Sequence, residues 1–408
     1  MKVIDDPRDT SLHGGRTVRT FIDLIKETVT NVDKIADMIQ DATKQSAPRQ
    51  EQKQATTAKE PEREACRQEA QAQNASAPPL PPKFESPSPC DIDSRAPFAP
   101  SLDFGRYWRL NYSLLSESEK RAYEAIETAI LRGFPSTQVN LPADTNLIMK
   151  VAKSLIEDNW SLFYINTGVT VCTEPGRVDV CFHYNRFNKD KEEYLRRMKE
   201  VAREVYETRV KGCRTRYEAE MAIHDYLTET VTYDASDDEL AHSPVGPLLY
   251  KKGVCEGISE AFTFLACSCG IKAAMMSGTK NGNNHRWNIV EIDGERYHLD
   301  VTYDLTGLHA CFNCDDSILR RTHTFSKRVG CDTTRQNYYT VNGSRFRSSV
   351  EASSYIKQQA AKGAAFEFML DSGAAPSEIM RIVQMGTGGT RRVTARNTEQ
   401  RFYKIMLS

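Results

Sequence analysis

Apolar residues at Val18, Phe21, Ile25, Val29, Val32, Ile35 and Ile39 recur in alternating steps of three and four. That spacing predicts an amphipathic helix with a narrow apolar stripe within residues 1–45. The stripe, about three heptads long, suits a coiled coil or a docking partner, and equally the chain's own folded part. The periodicity then stops. Residues 46–101 are rich in Gln, Glu, Ala and Ser, and ten of the 17 prolines lie between Pro48 and Pro100. Too little apolar area is available there to offset the ordering entropy, which predicts a disordered tether. Within it, Pro78-Pro79-Leu80-Pro81-Pro82 reads as a plain spacer or as a short polyproline ligand.

Periodic segments return after Leu102. Ser116 and Glu119 are spaced as a capping box for a helix to about Leu131, and a second helix is predicted over Asp144–Asp158. Two strands, SLFYINTGVTVCT and RVDVCFHYN, flank the turn Glu174-Pro175-Gly176. Helices follow over Asp190–Val210 and Arg216–Thr230. Ile258, Ala261, Phe262, Leu265 and Cys269 recur at helical spacing, with Gly270 as the stop. Two more strands flank Asp293-Gly294, a two-residue hairpin signal. Beyond Arg335 come a second hairpin signal at Asn342-Gly343, a helix over Val350–Lys362, a strand AFEFML, a helix from Pro376 and a last strand QRFYKIML. The expected organisation is an α+β fold. A helix-rich α+β lead-in occupies 102–212, a region carrying the chemistry 213–335, and a small C-terminal α+β extension 336–408.

Charge adds little. With 54 Lys+Arg against 55 Asp+Glu, no strong field draws nucleic acid or an anionic membrane. No stretch approaches the ~18 apolar residues of a membrane span, and MKVIDDPRDT lacks the apolar core of a secretory signal. The cytoplasm is the default expectation, where the eleven cysteines stay mostly reduced, although export without a cleavable signal leaves no trace in sequence. Cys267-Ser-Cys269 and Cys311-Phe-Asn-Cys314 do not make a zinc pattern, since the first pair is C-x-C inside a helix. No metal or organic cofactor is expected.

Candidate chemistry centres on YKKGVCEGISEAFTFL, residues 250–265. Cys255 opens the predicted helix between Gly253 and Gly257. Unpaired N–H groups and the helix dipole favour an anion there, so its thiol pKa is expected to fall. Those donors also suit an oxyanion, which places Gly253, Glu256 and Gly257 in the substrate vicinity, with Gly253 leaving room for a substrate backbone. A thiolate needs an imidazole and a group that orients it. With Asp293-Gly294 as the loop, Ile292 faces Glu295, His285 lies opposite Thr302, and Asp300 becomes its diagonal neighbour. His285 is then general base and acid, and Asp300 fixes its tautomer. Trp287, on the same face, shields the imidazole or lines a groove. His298 is read as a surface or packing residue and His323 as structural. His224 and His242 have no evident partner, and Asp304 is placed at a strand end.

GVCEGISEAF, HRWNIV, DGERYHLDVTYD and CFNCDD…HTF resemble the transglutaminase-like superfamily, in particular its bacterial members, over residues 215–330. The resemblance implies a papain-like α+β core with Cys255, His285 and Asp300 as the triad. The chain departs from the common pattern in three places. It has His285-Arg286-Trp287-Asn288 where H-A-W-N is frequent, Tyr303 where Trp is frequent in D-x-T-W-D, and SPVGPLL where an aromatic often precedes the cysteine. The expected function is acyl transfer on peptide or protein amides through a thioester, with hydrolysis as protease or amidase favoured. A true transglutaminase and an inactive scaffold are the alternatives, the scaffold reading using the N-terminal helix and tether to dock a protein partner.

Overall fold

A computed structural model of the 408-residue chain describes residues 88–89, 92–236, 238–326 and 329–408. The helix expected within 1–45 and the tether up to residue 87 lie outside the described residues. The end of the expected tether is not loose. Ser94 Oγ donates to Glu291 at 2.7 Å, and the Arg216 guanidinium donates to the carbonyls of Ala96 and Asp93 at 2.7 and 2.8 Å while lying over the Phe98 ring. Individual side chains dock residues 92–101, and low apolar content does not reveal such anchors.

In the lead-in, helix Glu117–Leu131 starts with the expected capping box, both reciprocal bonds being present between Ser116 and Glu119. Helix Thr145–Asp158 is capped by Asp144, whose carboxylate accepts from Asn146 and Leu147 N–H. Strands Ile165–Glu174 and Arg177–Tyr184 pair antiparallel, and Ser136–Gln138 joins the second. The first strand starts later than expected, because Asn159 caps a short helical turn at Trp160–Leu162. Helices Lys191–Val205 and Arg216–Thr230 follow.

Helix Cys255–Ser268 is the centre of the molecule. Every residue from Gly257 to Ser268 is buried, so the helix is enclosed on all sides, unlike a surface helix with one apolar stripe. It packs on a four-stranded antiparallel sheet in the order Glu295–Leu299, Asn283–Ile292, Lys272–Lys280, His323–Thr324. Strand Lys272–Lys280 has no counterpart in the sequence reading. Its residues KAAMMSGTK are small or flexible rather than β-branched, and pairing with its neighbour makes it a strand.

The hairpin has the expected register, with Ile292 opposite Glu295 and Asn288 opposite Leu299. Asp293 and Gly294 both have positive φ, 52° and 81°, as a tight primed turn requires. The second strand is shorter than expected. It stops at Leu299, and Asp300 caps a helical turn, Val301–Asp304, so Thr302 does not sit opposite His285.

The C-terminal part pairs Phe366–Leu370 with Phe402–Leu407, and the latter with Val393–Thr398. Helices Ser349–Lys362 and Pro376–Thr387 cover this sheet. Asn342-Gly343 makes no hairpin: Asn342 ends a helical turn at Tyr338–Val341, and Arg345–Phe346 pairs in parallel with Met369–Leu370. Tyr339, Met369 and Phe402 share a buried cluster with Trp287, Tyr303 and Phe325. The C-terminal part is therefore packed directly behind the central sheet.

Candidate active site

Cys255 is the first residue of its helix and is half-buried. Ile258 N–H donates to Val254 O at 3.0 Å, so the N–H groups of Cys255, Glu256 and Gly257 precede the helical ladder. The backbone N–H of Arg286 is close enough to the Cys255 thiol to act on its pKa, so the helix start lies near the strand position next to His285. Burial pushes the thiol above its ordinary pKa. The Arg286 N–H and guanidinium pull it down, while Glu256 and Asp300 add to the rise. The direction is opposite to the fall expected from the helix terminus alone, because burial outweighs the pull of Arg286.

His285 and Asp300 meet. His285 Nε2 lies 2.8 Å from Asp300 Oδ2, and Asp300 Oδ1 accepts Tyr303 N–H at 3.0 Å. Burial by itself raises a carboxyl pKa, but His285 and His323 hold Asp300 well below the usual range. Asp300 is therefore a carboxylate, an acceptor only, and the facing His285 Nε2 carries the hydrogen. That tautomer leaves Nδ1 as the basic nitrogen.

Trp287 is fully buried and lies near-parallel to His285, with ring centroids 6.1 Å apart. It can shield the imidazole but cannot line an open groove. Its indole N–H donates to His298 Nδ1 at 3.0 Å, and His298 Nε2 faces Asp316 Oδ1 at 2.9 Å, so His298 is a buried linker and not a surface residue. Glu256 binds Arg286 Nη1 at 2.6 Å and His242 Nδ1 at 3.0 Å. A Cβ on Gly257 would stand 2.4 Å from Ala241 O, and one on Gly253 would stand 2.7 Å from Pro247 Cγ. Both glycines admit the 241–247 loop against the helix start. The space beside Gly253 is filled by protein instead of being left for substrate.

Sequence reasoning missed three contributors. His323 Nε2 lies 3.1 Å from the same Asp300 oxygen that binds His285. Gly278 pairs with His285, and a Cβ there would meet Thr324 O at 2.3 Å and the Trp287 ring at 2.7 Å. Tyr233 pairs with Gly253, and its phenol pKa is raised by burial and by the nearby Cys255 and Asp300. No spacing rule links 323 to 300, and Gly278 gave no sign of close approach because its strand was not legible in the sequence. His224, read without a partner, meets Asp304 at 3.2 Å, and Asp304, expected to hydrogen-bond at a strand end, accepts Cys311 N–H from within a helical turn instead. Cys181 is disulfide-bonded, while Cys255, Cys311 and Cys314 are thiols.

Residues 200–301 match the model of the Transglutaminase-like superfamily. The transglutaminase-like match covers the cysteine helix, the His285 strand and Asp300, and it supports an enzyme of the cysteine type. No curated protein sequence is similar enough to count as a relative. Among solved structures, a candidate cysteine protease from Cytophaga hutchinsonii is 15% identical, over 33% of this chain and 61% of its own, with a TM-score of 0.24. A TGase is 14% identical over 41% of this chain and 50% of its own, with a TM-score of 0.23. The chain thus spans about three fifths of the first and half of the second, and at these TM-scores neither likeness decides anything about the fold. Among the described residues, no helix is long and apolar enough to cross a membrane.

Proposed function

We propose that this chain is a cysteine-dependent acyl-transfer enzyme acting on peptide or protein amides. The observation carrying this reading is the 2.8 Å His285–Asp300 hydrogen bond together with a helix-opening thiol whose pKa responds to Arg286, the neighbour of His285. Burial favours a protonated resting thiol, so the proton leaves during attack. The Cys255 sulfur bonds to the carbonyl carbon as its proton passes to His285 Nδ1, giving a tetrahedral oxyanion. The first-turn N–H groups are the donors placed to hold that oxyanion. The C–N bond then breaks, and His285 returns the proton to the departing amine. Water, deprotonated by His285, attacks the thioester and releases a carboxylic acid and the Cys255 thiol. Asp300 stabilises the imidazolium throughout. Hydrolysis is the favoured outcome because water needs no second binding site, whereas an amine acceptor would make the protein a transglutaminase.

Iodoacetamide labelling with peptide mapping tests the reading. Cys255 should label fastest of the thiols near neutral pH, and His285→Ala should abolish that advantage. Labelling of Cys255 no faster than Cys172 or Cys213 would remove the basis for a catalytic thiol. A glutamine-containing protein mixed with a fluorescent primary amine separates the two outcomes, since covalent incorporation of the amine identifies transamidation.

A further inference from the structure

Asp300 carries more hydrogen bonds than a couple with His285 requires. Its Oδ2 faces both His285 Nε2 at 2.8 Å and His323 Nε2 at 3.1 Å, and Oδ1 accepts the Tyr303 N–H. The side chains of Asp300 and His323 are both 0% exposed, so protein groups must supply these bonds. Each imidazole nitrogen facing the carboxylate carries a hydrogen. The other nitrogen of His323, Nδ1, lies 2.9 Å from Thr322 Oγ1, whose hydroxyl donates to it. His323 is thereby satisfied at both nitrogens as the neutral Nε2–H tautomer.

The surroundings keep it neutral. Burial pushes its pKa below the ordinary value and Asp300 pulls it up, while His285 and Lys280 push it down. The Tyr303 ring stands 6.3 Å away and Trp287 packs edge-on at 5.2 Å. His323 cannot replace His285 as the base, because its second nitrogen is occupied by Thr322.

We infer that His323 is a positioning residue for the couple proposed above: its Nε2–H pins Oδ2 of Asp300 in place and shares the carboxylate charge that would otherwise fall on His285 alone. The inference rests on the acyl-transfer reading. Removing the donor leaves a freer and more basic carboxylate, which binds the imidazolium more tightly and moves the acid side of the reactivity profile upward. A residue that only filled space would not move that profile.

The test measures the rate of Cys255 alkylation by iodoacetamide against pH in the full chain, for wild type, His323→Phe and His323→Gln. Phe keeps the ring and removes the donor, whereas the Gln amide nitrogen can donate from nearly the same place. The acid midpoint is expected to rise by about one pH unit in His323→Phe and to return to the wild-type position in His323→Gln. An unmoved midpoint in a folded His323→Phe overturns the inference, as does a His323→Gln profile displaced as far as that of Phe. Should His323→Phe fail to fold, ¹H–¹⁵N imidazole spectra of the wild type decide. A neutral Nε2–H His323 across roughly pH 5 to 8 supports the role, and a protonated or Nδ1–H His323 in that range overturns it. An unreactive wild-type Cys255 overturns the acyl-transfer reading and this inference together, whereas a reactive Cys255 with an unmoved midpoint overturns this inference alone.

Discussion

Asp300 binds His285 from outside the strand pair that carries the histidine. Its Oδ2 accepts from His285 Nε2 at 2.8 Å, while its Oδ1 caps the Val301–Asp304 turn through Tyr303 N–H. One carboxylate therefore ends the strand, starts the turn and orients the imidazole. Because the cap holds one oxygen, the side chain has little freedom to rotate away from His285.

That double role separates two substitutions. In Asp300→Asn the amide oxygen can still cap Tyr303 N–H, but the NH₂ then faces His285 and favours its wrong tautomer. Nδ1 would carry a hydrogen and could not take the thiol proton. Cys255 alkylation near neutral pH should fall at least about 10²-fold, and the unfolding midpoint should also drop, because the NH₂ faces the buried Nε2–H of His323 as well. Asp300→Ala should lose the same reactivity and be the less stable of the two, since it removes the cap, worth about 1 kcal/mol, together with the acceptor of both buried imidazoles. Wild-type alkylation in the folded Asn variant would remove Asp300 from the couple.

Arg286 stands where the resemblance has a small residue, and Glu256 explains how it is tolerated. The two side chains are 15% and 18% exposed and bond at 2.6 Å, with His242 on the other Glu256 oxygen. Arg286→Met leaves a desolvated carboxylate short of its main partner, which should cost on the order of 3 kcal/mol in urea unfolding. Adding Glu256→Gln should restore much of that loss. The single variant should also alkylate at higher pH, because the guanidinium draws the Cys255 thiol pKa down. Equal stability of the single and double variants would show that the pair is uncoupled.

Close approach sets a third expectation. A Cβ at Gly278 meets Thr324 O and the Trp287 ring, and one at Gly257 meets the carbonyls of Ala241 and Ser243. Backbone atoms cannot yield as a flexible side chain can. Gly278→Ala and Gly257→Ala should each lower stability by about 1–3 kcal/mol in denaturant titrations. Gly282→Ala and Gly176→Ala give weaker controls, since both sites are open but have positive φ. Unchanged midpoints at 278 and 257 would mean that the backbone can move aside.

The legible parts of this fold are those where local chemistry and tertiary structure agree. The Ser116 capping box, the Asp293-Gly294 turn and the apolar run after Cys255 each depend on a few neighbouring residues, so sequence reveals them. The hairpin register then brings the His285 strand and Asp300 together, although the strand ends at Leu299. Lys272–Lys280 and Val393–Thr398 escaped notice because neighbouring strands, not their own side chains, make them strands. Asn342-Gly343 misled for the opposite reason: the dipeptide suits a hairpin, but here it ends a helical turn. His323 and the thiol pKa depend on burial and on contacts between distant segments, which no local pattern encodes.

His309 gives the last expectation, for stability against pH. Its Nδ1 lies 3.1 Å from Glu367 Oε2 and its Nε2 lies 3.1 Å from Asp225 Oδ1, while the ring stacks on Tyr338 at 4.0 Å. Burial opposes the charge, but the two carboxylates win and raise its pKa to about 9. In the unfolded chain a histidine titrates near ~6.5. The contribution is therefore complete below that value and is lost as pH rises through the folded value. Its size is on the order of 3 kcal/mol, and it ties the C-terminal Glu367 to the segment that follows Asp300. Thermal unfolding midpoints of wild type and His309→Phe should differ most at and just below about pH 6.5, and the difference should shrink toward about pH 9.5. Phe retains the stack on Tyr338, and the part of the difference that varies with pH reports the charge. A difference that stays constant across this window would mean that the charge on His309 adds nothing to stability.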